Sequence, residues 1–185
     1  MRTPVTKDWL PLLLLLLCLL PLKLYGDYWD EYNDELTPEF NSHLEEMYGT
    51  GPTKQPTIEK IIRWIIADVD RPLGGDDYCE SEILFKSIHY KLNCYAQHYF
   101  VAVPYKELQK ACHGERVPCN NRRGICRKST NLVEGVRCVL TSGKTLPDCK
   151  YNSFFLTAYP VVTCRWHSEN QTFVPETVNN LLLPR

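Results

Sequence analysis

Eight cysteines (Cys79, Cys94, Cys112, Cys119, Cys126, Cys138, Cys149 and Cys164) fall within 86 residues of this 185-residue chain. Thiols at this density either pair with one another or hold a metal. Structural zinc favours two sulfurs separated by two to four residues, because both must reach one small ion. The closest pairs here have six residues between them, so no metal and no cofactor is expected. In an exported chain an even set reads as a disulfide framework whose connectivity arithmetic alone leaves open. Proton-transfer chemistry would fall to His43, His89, His98, His113 and His167, the side chains that titrate near neutrality. Six cations, Arg116, Arg122, Arg123, Arg127, Lys128 and Arg137, lie within 22 residues. They are the candidate surface for phosphate or sulfate groups, against a competing reading of ordinary solvated charge diluted by Glu115 and Glu134. Asn170-Gln171-Thr172 is an acceptor sequon for N-linked sugar, set between two predicted strands.

These readings depend on the compartment. Arg2 and Lys7 precede an eleven-residue run, Leu10 to Leu20, that contains nine Leu; Pro21 breaks it and small Gly26 follows. That is the layout of a secretory signal peptide over residues 1–26. Eleven apolar residues reach about half way across a hydrocarbon core of roughly 30 Å, so no membrane span is expected. Removing the leader also removes Cys18 and turns nine cysteines into eight. Residues 27–56 then form a flexible acidic arm, with eight acids from Asp27 to Glu46, no Lys or Arg before Lys54, and room for a short helix over Pro38–Tyr48. The body, residues 57–185, carries 17 Lys and Arg against 13 Asp and Glu. A whole-chain net charge of −1 with 23% charged residues argues against wholesale disorder and against a histone-like nucleic-acid binder.

The elements of the body follow from periodicity and caps. Thr57 is an N-cap ahead of Ile58, Ile61, Ile62, Ile65 and Ile66 at helical spacing, with a turn at Arg71-Pro72-Leu73-Gly74-Gly75 to end the helix. Cys79–Lys86 predicts a second helix, and Pro104–Cys112 a third with Pro in its first turn. After Cys112 the pattern changes to β-branched and aromatic runs at Val133–Leu140, Lys150–Ala158, Val161–Trp166 and Thr172–Val178. Helices early and strands late give an α+β domain over 57–185.

The cysteine steps of 15, 18, 7, 7, 12, 11 and 15 residues resemble those of the pancreatic-type ribonuclease superfamily. Tyr78-Cys79, Val117-Pro118-Cys119-Asn120, Cys149-Lys150-Tyr151 and Phe173-Val174-Pro175 carry the same resemblance, which spans roughly 57–180. It implies three short helices and a bent antiparallel sheet stapled by Cys79–Cys138, Cys94–Cys149, Cys112–Cys164 and Cys119–Cys126. It also implies a place for the family's chemistry, in which two histidines and a lysine cleave RNA. The lysine motif, Cys-Lys-x-x-Asn-Thr-Phe in the family, reads Cys94-Tyr95-Ala96-Gln97-His98-Tyr99-Phe100 here. Tyr95 stands at the lysine, His98 at the Asn and Tyr99 at the base-selecting Thr. Spacing back from Cys79 places the first histidine at Ile65, and the Val174-Pro175 pair places the last at Thr177. Neither Ile nor Thr can take and return a proton near pH 7. His98 alone falls near the old cleft, and the expectation for it is a partly buried or surface His with a hydrogen-bond partner. The expectation is no enzyme, and no catalytic residues.

What the resemblance then implies is a secreted, non-catalytic protein with a binding or surface-interaction role in the male reproductive tract, in sperm maturation. Its partners would be sperm or other cell-surface components, with weak polyanion or nucleic-acid binding. Two alternatives stand beside this: a cationic host-defence protein, disfavoured by a body charge of only +4, and a weak RNA-cleaving enzyme.

Overall fold

A computed structural model of the chain describes residues 43–45, 47–49, 55–120, 125–168 and 170–184. The chain divides into two compact units, Met1–Gly51 and Pro52–Arg185. In the first, residues 43–45 and 47–48 are helical; the leader, most of the acidic arm, and Arg122 and Arg123 lie outside the described residues. No helix among the described residues is long and apolar enough to cross a membrane.

The second unit opens with helix α1, Ile58–Ile65, capped by the Thr57 hydroxyl, which accepts the Lys60 N–H at 3.2 Å. Its apolar stripe buries Ile61 and Ile65. The helix stops well short of the Arg71–Gly75 turn. Ile66 goes extended and bridges Val101 in parallel, and the Ala67 N–H donates to the Val101 carbonyl at 2.9 Å. Strand pairing thus captures residues that periodicity alone assigns to the helix. Helix α2 is Tyr78–Phe85, and α3 is Tyr105–Gln109, continued by a 3-10 turn at Lys110–His113.

Six strands follow the helices or lie between them: β1 Gln97–Val101, β2 Glu115–Pro118, β3 Ile125–Lys128, β4 Val133–Ser142, β5 Lys150–His167 and β6 Thr172–Leu182. All pair antiparallel, in the order β1-β4-β5-β3-β2, with β6 also on β5. β5 is one strand of 18 residues where two shorter ones, broken at Pro160, were expected. A proline ends a strand when a ladder bond needs its missing N–H. Pro160 sits where β5 leaves β4, whose pairing ends at Ala158, and takes up β3 at Val161; its carbonyl accepts the Ser129 N–H at 2.8 Å. The absent donor is not missed there, and the strand continues. Val162 is paired on both edges, with Arg127 of β3 and Val178 of β6.

Two apolar clusters fill the layers. One joins Ile61 and Ile65 of α1 to Tyr99, Val101, Ala158, Val162 and Leu181 of the sheet. The other joins Tyr78 and Ile83 of α2 to Phe100, Val136 and Tyr151. Disulfides fasten both. Cys79–Cys138 ties α2 to β4, Cys112–Cys164 ties the 3-10 turn to β5, Cys94–Cys149 anchors the segment before β1, and Cys119–Cys126 joins the end of the β2–β3 hairpin. The first three span 52 to 59 residues. In the chain-entropy model each contributes roughly 4 kcal/mol.

Candidate binding cleft

The last turn of α1, the segment after Cys94, β1 and β6 together enclose a cleft of about 330 Å³. α1 delivers Trp64 and Ile65, the Cys94 disulfide holds Tyr95 beside β1, and the bulged stretch of β6 brings Thr177 and Asn179 to the same space. Ile65 and Thr177, where the resemblance places the two histidines, and Tyr95, where it places the lysine, therefore line a single cavity.

None of the three can do that chemistry. Ile65 is 2% exposed and belongs to the core. Tyr95 is half-buried, its carbonyl accepts the Tyr151 hydroxyl at 2.9 Å, and burial raises its phenol above the ordinary range; a neutral phenol carries no positive charge in place of a lysine. The Thr177 hydroxyl is bonded to that of Thr163, directly across the β5–β6 ladder, and accepts from the Asn179 amide at 2.9 Å. Asn179 also donates to Thr163 at 3.3 Å, which closes a small polar net on one wall.

His98 is the remaining candidate for proton transfer. Its Nε2 lies 2.7 Å from the Trp64 carbonyl, so that nitrogen carries the proton and donates it. Although part of its surface still reaches solvent, the ring is enclosed by protein and rests edge-on against Phe100 at 4.7 Å. Burial lowers its pKa to about 4, and the nearby Lys86 charge adds to that against the opposing Trp64 bond. A neutral imidazole with its N–H committed to the backbone holds α1 against β1; it is a positioning group. The consequence for stability has a definite sign. An unfolded chain binds a proton at His98 below about 6.5, and the folded one does so only near 4. Stability should therefore fall as pH drops through that window, and His98→Asn should flatten the fall when urea midpoints are measured across it.

Tyr99, at the base-selecting position, is 5% exposed. Its hydroxyl donates to the Gln97 Oε1 at 3.1 Å, and burial pushes its pKa up. The ring occupies core volume and leaves only its polar edge to the cleft. Glu176 is the only Asp, Glu, Lys or Arg among the described lining residues. Its carboxylate lies 3.7 Å from the Arg165 Nε, and Arg165 also donates to Gln55 at 2.6 Å and to the Pro56 carbonyl. That arginine fixes the chain where it enters α1.

The described members of the cation set stand at two places on the sheet. Arg116 and Arg127 face each other across the β2–β3 ladder, Arg127 donates to the Gly114 carbonyl at 3.1 Å, and Lys128 lies over the Tyr159 ring at 4.9 Å. Arg137 is elsewhere, between Tyr99 of β1 and Phe154 of β5. Arg127 pairs with Val162, eight residues farther along β5, and strands rise roughly 3.3 Å per residue, too far for one phosphate to bridge. Among the described cations, the sheet register sets Arg137 apart from Arg116, Arg127 and Lys128. Among the described residues no group of three or more His, Cys, Asp or Glu is placed to hold a metal ion.

Sequence reasoning missed Trp64, Gln97, Asn179 and Glu176 as parts of this wall. Glu176 and Asn179 fall at the two register shifts of the β5–β6 ladder, which no local pattern of residue types announces.

Three short helices on a bent antiparallel sheet, fastened by four disulfides around a cleft between α1, β1 and β6, define a ribonuclease-type scaffold. A family profile described as "Pancreatic ribonuclease" matches residues 56–179. The chain is 48% identical over 185 residues to the mouse protein named "Inactive ribonuclease-like protein 9", with all of both chains covered. It is 42% identical over 186 residues to the protein of that name from Pongo pygmaeus, covering all of this chain and 91% of that one. Among solved structures, zebrafish RNase5 superposes with a TM-score of 0.50 at 22% identity, over 66% of this chain and 91% of that one, a likeness of fold. The chain belongs to the pancreatic ribonuclease family. It is a non-catalytic member.

Proposed function

We propose that the chain is an exported, non-catalytic binding protein whose vacated cleft recognises a component of a cell surface. One observation carries this reading. The cleft persists at a volume typical of ligand sites while Ile65, Tyr95 and Thr177 leave it without catalytic groups. A leader over 1–26, an acidic arm over 27–56 and eight paired domain cysteines support export. The male reproductive tract, with sperm as the bound surface, is the setting that the family resemblance supplies. A body charge of only +4, with Arg137 set apart from the β2–β3 cations, weighs against a host-defence role built on concentrated positive charge.

Asn170 belongs to the same proposal. It lies at the exposed tip between β5 and β6, its N–H donating to the His167 Nδ1 at 3.3 Å, with Trp166 packed edge-on against Phe173 at 5.2 Å just behind. The secreted protein should run faster on a gel after enzymatic deglycosylation.

The function is tested by saturable binding of the labelled, full exported protein to sperm. Binding should survive ribonuclease treatment of the cells and fall by about tenfold or more in Thr177→Arg, whose side chain would fill the cleft from an exposed position on β6. An intact disulfide pattern in that variant checks its fold. Undiminished binding by a folded Thr177→Arg protein would place recognition elsewhere.

A further inference from the structure

We infer that the cleft takes an uncharged sugar residue, an inference that rests on the cleft being a binding site at all. Three features of its wall select that chemistry. Trp64 and Tyr95, both half-buried, line the cavity with aromatic surface suited to the C–H face of a pyranose ring, and Lys60 lies over the Trp64 ring at 4.8 Å. Gln97, Asn179 and Asn120 supply planar amides, each both donor and acceptor, which matches neighbouring ligand hydroxyls that also donate and accept. Partners for those amides are only partly used within the protein. Gln97 accepts the Tyr99 hydroxyl through Oε1, leaving its Nε2 to donate; Asn179 donates through Nδ2 to Thr163 and Thr177, leaving its Oδ1 to accept.

Charge completes the selection. Glu176 is the only ionisable carboxylate or cation among the described lining residues, and Arg165, with its Nε 3.7 Å from that carboxylate, donates through its other nitrogens to Gln55 and Pro56. A phosphate or sulfate entering the cavity would meet a carboxylate whose cation partner, Arg165 at 3.7 Å, already serves Gln55 and Pro56, whereas a hydroxyl could donate to that carboxylate in a charge-assisted bond. Flat apolar surface, amides and one carboxylate favour a neutral polyol over a polyanion.

The test uses the folded exported protein, isotopically labelled, observed by NMR through the Trp64 indole and the Gln97 and Asn179 side-chain amides. The probes are methyl β-galactoside, methyl α-mannoside and methyl β-N-acetylglucosaminide, with uridine, inorganic phosphate and a short RNA as contrasting arms. At least one glycoside should shift those resonances saturably, with an affinity indifferent to salt, because no counterions are released. Tyr95→Ala should weaken it about tenfold, while Tyr95→Phe, which keeps the ring face, should leave it nearly unchanged. Cleft resonances that respond to uridine, phosphate or RNA but to no glycoside would overturn the inference. Silence to every glycoside, with Thr177→Arg still abolishing cell binding, would overturn the sugar alone. Silence together with undiminished cell binding by Thr177→Arg would remove the cleft reading too.

Discussion

Purified protein should cleave RNA no faster than a matched preparation lacking it, and Tyr95→Lys alone should leave that result unchanged. A lysine at that position supplies charge to a transition state that no acid or base helps to form, and groups that act as a unit do not contribute singly. The triple variant Ile65→His, Tyr95→Lys, Thr177→His should bring cleavage above background, since the three positions already line one cavity. A positioned acid or base is worth roughly 10²–10⁴-fold, so a gain on the order of 10² is expected. Its pH profile should carry the mark of the site. An imidazole at position 65, where the native side chain is 2% exposed, enters the kind of enclosure that lowers His98 to about 4. An imidazole at the exposed position 177 keeps a value nearer the usual 6.5 or so. Base deprotonated and acid protonated coexist best between those two values, so the optimum should fall on the acid side of neutrality. Robust turnover by the unmodified protein, abolished by His98→Ala, would contradict this account outright.

The same geometry explains which parts of the molecule could be read from the residues in order. Thr57 and the isoleucines of α1 announce a helix because cap and stripe are local. Its end is not local: Ile66 leaves the helix for Val101, a partner 35 residues away. Pro160 looks like a break until β3 is seen to take over from β4 at that point. The resemblance reached Ile65, Tyr95 and Thr177 by counting from a cysteine or a Val-Pro pair, and the three line one cavity. The amide wall lay beyond that count, because Gln97 and Asn179 come from strands about 80 residues apart in sequence and meet only in the folded sheet. Arg137 shows the converse. Residues near in sequence were dealt to β2, β3 and β4, and the ladder carried Arg137 away from Arg127.

Lys86→Met should be among the most destabilising single substitutions in the domain, lowering the unfolding free energy by about 3 kcal/mol and the melting temperature by roughly 10 °C. Helix α2 turns a carboxylate inward: Glu82 is 2% exposed while Leu84 and Phe85 on the same helix face out at 48% and 61%. Lys86, 5% exposed, answers it with an Nζ–Oε1 distance of 2.9 Å, donates to the Ile66 carbonyl at 2.6 Å, and lies 5.1 Å from the Phe100 ring centre. Arg71 closes the group at 3.1 Å from the second Glu82 oxygen, with its guanidinium 3.5 Å from the Phe85 ring centre. Methionine keeps the stem of the lysine but leaves Glu82 one cation short. It also leaves the Ile66 carbonyl, at the end of α1, without this donor. Because much of the cost is an uncompensated buried charge, Glu82→Leu combined with Lys86→Met should cost less than the two single changes added together. The effect should also reach the cleft. Lys86 is one of the influences that hold His98 low, so the imidazole of Lys86→Met should titrate higher than in the parent when followed by NMR. Strict additivity in denaturant melts, with an unmoved His98, would show that the buried pair neither couples to itself nor communicates with the site.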